Sequence, residues 1–428
     1  MNVTAVLVVS ATIFAWGLVC GRLERADLSA PIVFTLSGAL LTILDFVNPQ
    51  AAPETVKPLV EVTLVWVLFA DAARVSIKDF RRDIGQYVRL LAIGLPLTVL
   101  AGWGLAIWLF PDVGLWLALL VGTALAPTDA ALGVPVVTNP AVPARVRRLI
   151  TVESGLNDGI VTPVVVLALA GAASAEGLAH APTLGEAVLE LLTGAVVGVA
   201  VGCGGGWLLR DGRRRGWTEG DFAGIAVLAL ALCAYAAALM VQGNGFVAAF
   251  CGGLAFGAVS DRRGPAELTF LEQASGLVSL LVWLAFGAIT VPLLPDRIAG
   301  STLLYALLSL TVVRMVPVAL ALVGTGFDRR TVAFIGWFGP RGLASLVFAL
   351  LALEELGQAA DAAVAVIATT VFLSVLAHGA TARPFATRYG GATAARGLEP
   401  GAQVPDLPVR GLPRRVRTAP DGSRPGDG

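Results

Sequence analysis

The stretch VESGLNDGIVTPVVVLALAG, residues 152–171, decides how the chain is read. It ends as a membrane helix, yet begins with Glu153, Ser154, Asn157 and Asp158. Extended back to residue 146, the segment holds these groups near its middle. An ionisable side chain there costs at least ~2.5 kcal/mol on insertion scales, so it is expected to line a cavity and to have a function. Ser154 and Asp158 are four residues apart and share a helix face, as do Glu153 and Asn157.

The rest of the chain supplies the membrane context. Of 428 residues, 56% are hydrophobic and 14% charged, whereas soluble domains carry roughly 25% charged residues. The chain is therefore an all-α polytopic membrane protein. Its formal net charge of zero leaves no bulk basic signal for nucleic acid and no acidic tail. Cys20, Cys203, Cys233 and Cys251 lie in apolar segments without metal-ligand spacing, and are read as small buried apolar residues. The first 19 residues lack a basic residue, which argues for a first span over a cleavable signal.

A span needs about 20 apolar residues. About thirteen segments qualify: 2–20, 30–46, 57–74, 87–110, 114–136, 146–172, 183–209, 220–241, 245–260, 270–291, 298–324, 331–353 and 362–382. The odd-numbered connections hold Arg22, Arg25, Arg74, Lys78, Arg81, Arg82, Arg89, Arg145, Arg147, Arg148, Arg210, Arg213, Arg214, Arg215, Arg262, Arg263, Arg329 and Arg330. The even ones hold only Lys57 and Arg297. This asymmetry predicts odd connections in the cytoplasm, the N-terminus outside and the C-terminus inside. Residues 1–384 form the membrane domain. Residues 385–428, rich in Gly, Pro and Arg, read as a disordered cytoplasmic tail.

Thirteen spans suggest six, a connector and six, so that the halves are inverted repeats as in many secondary transporters. Span 5 contains GTALAPTDAALG and span 12 contains GWFGPRGLAS, each interrupted by Gly and Pro near its middle. The breaks lie at similar depth in corresponding spans that run in opposite directions, a pointer to a midplane binding site. Thr128 and Asp129 follow Pro127 about 15 residues, roughly 22 Å, into span 5; Asp158 is about 13 residues, roughly 20 Å, into span 6. Ser154, Thr128, the two carboxylates and a carbonyl freed by Pro127 make an all-oxygen nest suited to a hard alkali cation. Burial beside a like charge favours protonation of one acid. Cation and proton then compete for one site, which is the physical basis of antiport. No GxxxxGK[ST] motif is present, so an ion gradient is the expected driving force and no cofactor is expected.

Glu153 lies about 12 Å, and Arg314 of span 11 about 15 Å, from the cytoplasmic end of its span. An arginine this deep needs an internal partner, and the matched depths predict a Glu153–Arg314 ion pair. Arg341, at the break of span 12, is expected to cap freed carbonyls. Asp71, near the cytoplasmic end of span 3, reads either as part of an access funnel or as a solvated helix end; Glu61 has no predicted partner, and His378 reads as a packing residue.

APTDAALG (126–133), VESGLNDG (152–159), Arg314 and GWFGPRGLAS (336–345) together resemble the sodium/proton exchanger family, in particular its NhaP-type prokaryotic members, over roughly residues 1–384. The resemblance implies an ion site of Thr128, Asp129, Ser154, Asn157 and Asp158, with Glu153 and Arg314 paired beside it. It implies a homodimer in which spans 1–3 and 7–10 form a scaffold. Spans 4–6 and 11–13 form a moving core that contains the two broken, crossing spans 5 and 12. The family often reads Thr-Asp-Pro; here Ala130 follows Asp129, and Pro127 supplies the break. Asn-Asp members are associated with electroneutral exchange, so one cation per proton is expected, with Na⁺ as the cation and K⁺ as the alternative. A cation channel and an intramembrane aspartyl protease are the rival readings. The Tyr-Asp and Gly-x-Gly-Asp pattern of such proteases is absent, and the expectation is a transporter, not an enzyme.

Overall fold

The computed structural model describes residues 3–23, 29–44, 46, 53–75, 83–129, 132–178, 184–260, 264–290 and 299–394. Among them every regular element is helical. Hydrocarbon offers no water to an open N–H or C=O, and a helix answers its backbone groups internally.

In chain order the helices are α1 (Val3–Leu23), α2 (Ala30–Ile43), α3 (Pro53–Ala73), α4 (Ile84–Leu109), α5 (Leu115–Ala124), α6 (Val134–Val137) and α7 (Ala144–Ala175). They continue as α8 (Leu184–Arg214), α9 (Gly220–Met240), α10 (Gly245–Val259), α11 (Gly264–Thr290), α12 (Gly300–Leu310), α13 (Val312–Ala321), α14 (Arg329–Trp337), α15 (Leu343–Leu356) and α16 (Asp361–Ala394). Among the described residues, eight stretches are long and apolar enough to cross a membrane by length and composition, while α2, α5 and α10 are shorter apolar helices.

Departures from regular helix have local causes. A π turn at Leu90–Gly94 interrupts α4 just before Pro96, whose ring excludes the carbonyl four residues back. Thr311 (φ −112°, ψ −87°) separates α12 from α13. The α5–α6 and α14–α15 gaps surround Pro127 and Pro340.

Packing divides the helices. α2 and α3 pack with α10 and α11, and α8 and α9 pack on α10. α4 packs on α5, α5 on α7, α13 on α4 and α14, and α16 on α12 and α15. α3 meets both sets, touching α7 and α15. Close approach needs small residues: a Cβ on Gly198 of α8 would fall on the Ala248 carbonyl of α10. At 32 residues, α7 is about 48 Å long, and Glu153, Ser154, Asn157 and Asp158 are all buried along its middle.

Two expectations are corrected. None of the four cysteines is buried; Cys20, Cys203 and Cys251 are half-buried and Cys233 is exposed on α9, an apolar helix whose outer face suits lipid. α16 does not stop near Arg383 but runs through Pro384 to Ala394, so residues 385–394 are helix. Packing holds this extension: Tyr389 stacks on Phe334 (4.1 Å between centroids, 18°), its hydroxyl is 2.8 Å from Thr331 Oγ1, and Gly390 abuts Ala141. The rest of the predicted tail, 395–428, lies outside the described residues, as do Arg25, Lys78, Arg81, Arg82, Arg262, Arg263, Arg297 and Ala130.

Truncation after Ala394 is expected to leave the thermal unfolding temperature in detergent unchanged. Truncation after Pro384 removes an aromatic pair worth about 1 kcal/mol and a hydrogen bond worth about 1 kcal/mol, and is expected to lower it measurably.

Candidate functional site

α5 ends at Ala124 because Pro127 lacks an N–H and biases Ala126 away from helical geometry. α14 ends at Trp337, three residues before Pro340. Each break leaves carbonyls open on one side and N–H groups on the other. The two breaks answer each other. Asp129 N donates to Pro340 O at 2.8 Å, and Leu343 N, at the start of α15, donates to Asp129 Oδ2 at 3.0 Å. The positive end of the α15 dipole thus faces a carboxylate. Arg341 is fully buried, and its Nη1 donates to the carbonyls of Ala126 (3.2 Å), Pro127 (3.4 Å) and Gly339 (3.4 Å).

α7 runs beside this crossing. Asn157 Nδ2 donates to Thr128 Oγ1 at 2.8 Å, and Thr128 Oγ1 is 2.9 Å from Ser154 Oγ. With the amide as donor, the single Thr128 hydroxyl proton is free to point at Ser154. All three side chains are buried. Asp158 follows one turn after Ser154, also buried, and its carbonyl accepts from Thr162 Oγ1 at 2.7 Å. Pro163, lacking an N–H, leaves the neighbouring Gly159 carbonyl without its helical donor. The crossing therefore gathers Thr128, Asp129, Ser154 and Asn157 through direct contacts, with Asp158 on the same helix as the last two. Carboxylate, hydroxyl and carbonyl oxygens are the donor set that suits an alkali cation.

Glu153 Oε1 accepts from Arg314 Nη1 at 2.7 Å, both side chains being buried. The pair expected from matched depths is present, tying α7 to α13. Asp71 lies on the α3–α7 seam: its backbone carbonyl is 3.6 Å from where a Cβ on Gly155 would be. Its carboxylate is 3.5 Å from Arg74 Nη1, and Arg74 also reaches Glu272 at 2.8 Å. Asp71 is thus held beside the site in an ionic cluster. Glu61 faces the Tyr235 hydroxyl and Lys57, and Lys57 pairs with Glu354 at 2.6 Å. A cavity of about 310 Å³ between α3, α7, α8, α9, α10 and α15 is lined by Glu190, Tyr235, Glu355 and Thr162, and so reaches within one helical turn of Asp158.

Sequence reasoning missed Gly339 and Gly342. A Cβ on Gly342 would fall on the Asp129 carboxylate, and one on Gly339 would meet the Arg314 guanidinium and lie 2.9 Å from Thr128 Cγ2. The signal was the run GPRG itself, in which the proline makes the break and the flanking glycines let it touch its partners.

The transmembrane family described as sodium/hydrogen exchanger matches residues 8–388. The chain belongs to this family. The K(+)/H(+) antiporter NhaP of Alkalimonas amylolytica is 29% identical over 355 residues, covering 78% of this chain and 58% of that protein. The Na(+)/H(+) antiporter ApNhaP of Aphanothece halophytica is 24% identical over 375 residues, covering 84% and 69%. The chain spans about half the length of the K(+)/H(+) antiporters it matches. The structure of the sodium proton antiporter MjNhaP1 from Methanocaldococcus jannaschii at pH 8 matches with a TM-score of 0.76 at 20% identity, over 91% of this chain and 100% of that one. The two share a fold.

Breaking one side of a buried ion pair strands the other charge. Glu153→Ala and Arg314→Ala are each expected to cost about 3–5 kcal/mol, read as a drop in thermal unfolding temperature. The double variant is expected to lose less than the two singles combined. Gly342→Ala is expected to reduce transport at least about tenfold, by displacing Asp129.

Proposed function

We propose that this exchanger is a secondary active antiporter that moves one monovalent cation against one H⁺ across the cytoplasmic membrane by alternating access. Asp129 and Asp158 take either load. The observation that carries this reading is the crossing of the two breaks, where Asp129 is fixed by Leu343 N and Pro340 O beside the Thr128, Ser154 and Asn157 cluster. Membership of an exchanger family supports a transporter over an enzyme or a channel.

The charge gathered at the crossing supports the one-for-one ratio. Glu153 and Arg314 cancel as a pair. Half-buried Asp129 and buried Asp158, set against the buried Arg341, leave one negative charge when both acids are ionised. One monovalent cation or one proton neutralises the site. Two loads would leave it positive, and none leaves it negative, so both are disfavoured in a low-dielectric passage. Asn157, an amide, orients Thr128 and adds no charge.

The two packing sets support a division into a scaffold of α1–α3 and α8–α11 and a moving core of α4–α7 and α12–α16, with a homodimer formed through the scaffold. The charge asymmetry of the connections supports the N-terminus outside and the C-terminus in the cytoplasm. The transported ions are the substrates, and the reading needs no cofactor. Na⁺ is the proposed cation. K⁺ is the second reading, favoured by relatives named as K(+)/H(+) antiporters.

Cation-dependent pH change in proteoliposomes tests the proposal with Na⁺, Li⁺ and K⁺. Asp158→Asn is expected to abolish exchange while unfolding at the wild-type temperature; full exchange by this variant would refute the site. Competition predicts that the cation concentration for half-maximal rate rises as pH falls, approaching tenfold per pH unit. With the potential clamped, the equilibrium distribution is expected to ignore a voltage worth ~2.3 kcal/mol per charge per 100 mV; a distribution that follows voltage rules out the one-for-one ratio.

A further inference from the structure

The break between α14 and α15 is held from behind by α16, through groups no part of the ion site uses. Ser374 and His378, one turn apart on α16, are both buried. Ser374 Oγ accepts from Arg341 N at 2.7 Å. His378 Nε2 is 2.8 Å from the Trp337 carbonyl. That oxygen only accepts, so Nε2 carries a proton. Nδ1 faces the Ser374 hydroxyl at 3.2 Å and the Ser374 carbonyl at 2.8 Å. The first can donate and the second accept, so the ring stays anchored to its own helix whether Nδ1 is bare or protonated. The Trp337 ring stacks on the imidazole, with centroids 5.2 Å apart, and its Nε1 donates to Thr381 Oγ1 at 3.0 Å.

Trp337 is the last residue of α14 and Arg341 lies one residue beyond Pro340. His378 therefore grips the near end of the break and Ser374 the far end. Between them lies Pro340, whose carbonyl takes the Asp129 N–H; just beyond lies Leu343, whose N–H holds the Asp129 carboxylate. We propose that Ser374 and His378 are positioning residues, a two-point hydrogen-bond clamp that sets the break and, through it, the placement of Asp129 for the cation. This rests on the ion-site reading above.

Partners that orient metal ligands without touching the metal typically change affinity 10–100-fold when removed. Ser374→Ala and His378→Ala are thus expected to raise the Na⁺ or K⁺ concentration for half-maximal exchange by roughly tenfold or more. The maximal rate in proteoliposomes of the full chain should stay within about twofold. His378→Gln places an amide N–H within reach of Trp337 O and is expected to recover most of the lost affinity, which a purely packing role would not predict. Wild-type half-saturation in both alanine variants, or a loss that His378→Gln does not relieve, overturns the clamp. Should His378→Ala fail to fold, Ser374→Ala and His378→Gln decide the matter alone. Asp158→Asn runs alongside: exchange by that variant removes the ion site itself, whereas a silent Asp158→Asn with wild-type alanine variants removes only the clamp.

Discussion

An interrupted helix in hydrocarbon leaves carbonyls and N–H groups that no water can reach, each unsatisfied group costing several kcal/mol. Neither the α5–α6 break nor the α14–α15 break closes all of these groups within itself. Part of the need is met across the crossing, through Asp129 N to Pro340 O, Leu343 N to Asp129 Oδ2, and Arg341 to the Ala126 and Pro127 carbonyls. The arrangement is reciprocal, so each break answers groups that the other leaves open. A carboxylate at this point is held by backbone dipoles, and its chemistry depends on the placement of a few peptide groups.

Two buried arginines stand near the crossing, and they meet different kinds of oxygen. Arg314 meets a carboxylate, and its charge is cancelled by Glu153. Such a buried pair adds little net stability over an apolar substitute, yet is costly to break on one side; its value lies in fixing α13 against α7. Arg341 meets carbonyl oxygens, which accept its hydrogen bonds without cancelling its charge. That uncancelled charge enters the balance of the neighbouring acids. One guanidinium therefore closes the backbone of a broken helix and offsets one of two carboxylates.

The parts of this plan legible in the sequence were those that contradict their surroundings. Asp129, Glu153, Asp158, Arg314 and Arg341 stand out because charge is costly in apolar segments, and Pro127 and Pro340 because a ring without an N–H must interrupt a helix. Matched depth sufficed to pair Glu153 with Arg314. The clamp was not legible, because a hydroxyl in a membrane helix is ordinarily spent on its own carbonyl four residues back. Thr98, Thr123, Thr162, Thr369 and Thr370 all do this. Nothing in the local pattern separates Ser374 from them; only the meeting with Arg341 N does. The extension of α16 past Pro384 was hidden in the same way, since composition marks Gly and Arg as tail while Tyr389 and Gly390 find their partners 55 residues or more away in sequence.

Asn157 shows how closely hydrogen-bond direction and charge are joined at this site. As an amide it donates to Thr128, which frees the Thr128 proton for Ser154 and leaves lone pairs on both hydroxyls for a cation. An ionised acid at the same place can only accept. It would draw the Thr128 proton toward itself, leave Ser154 without that donor, and add a second uncompensated negative charge beside Asp158. The site would then need two positive charges to reach neutrality, and its load would no longer be one ion or one proton. In the proposed one-for-one exchange, a single amide nitrogen at residue 157 thus sets both the orientation of the hydroxyl ligands and the number of charges carried.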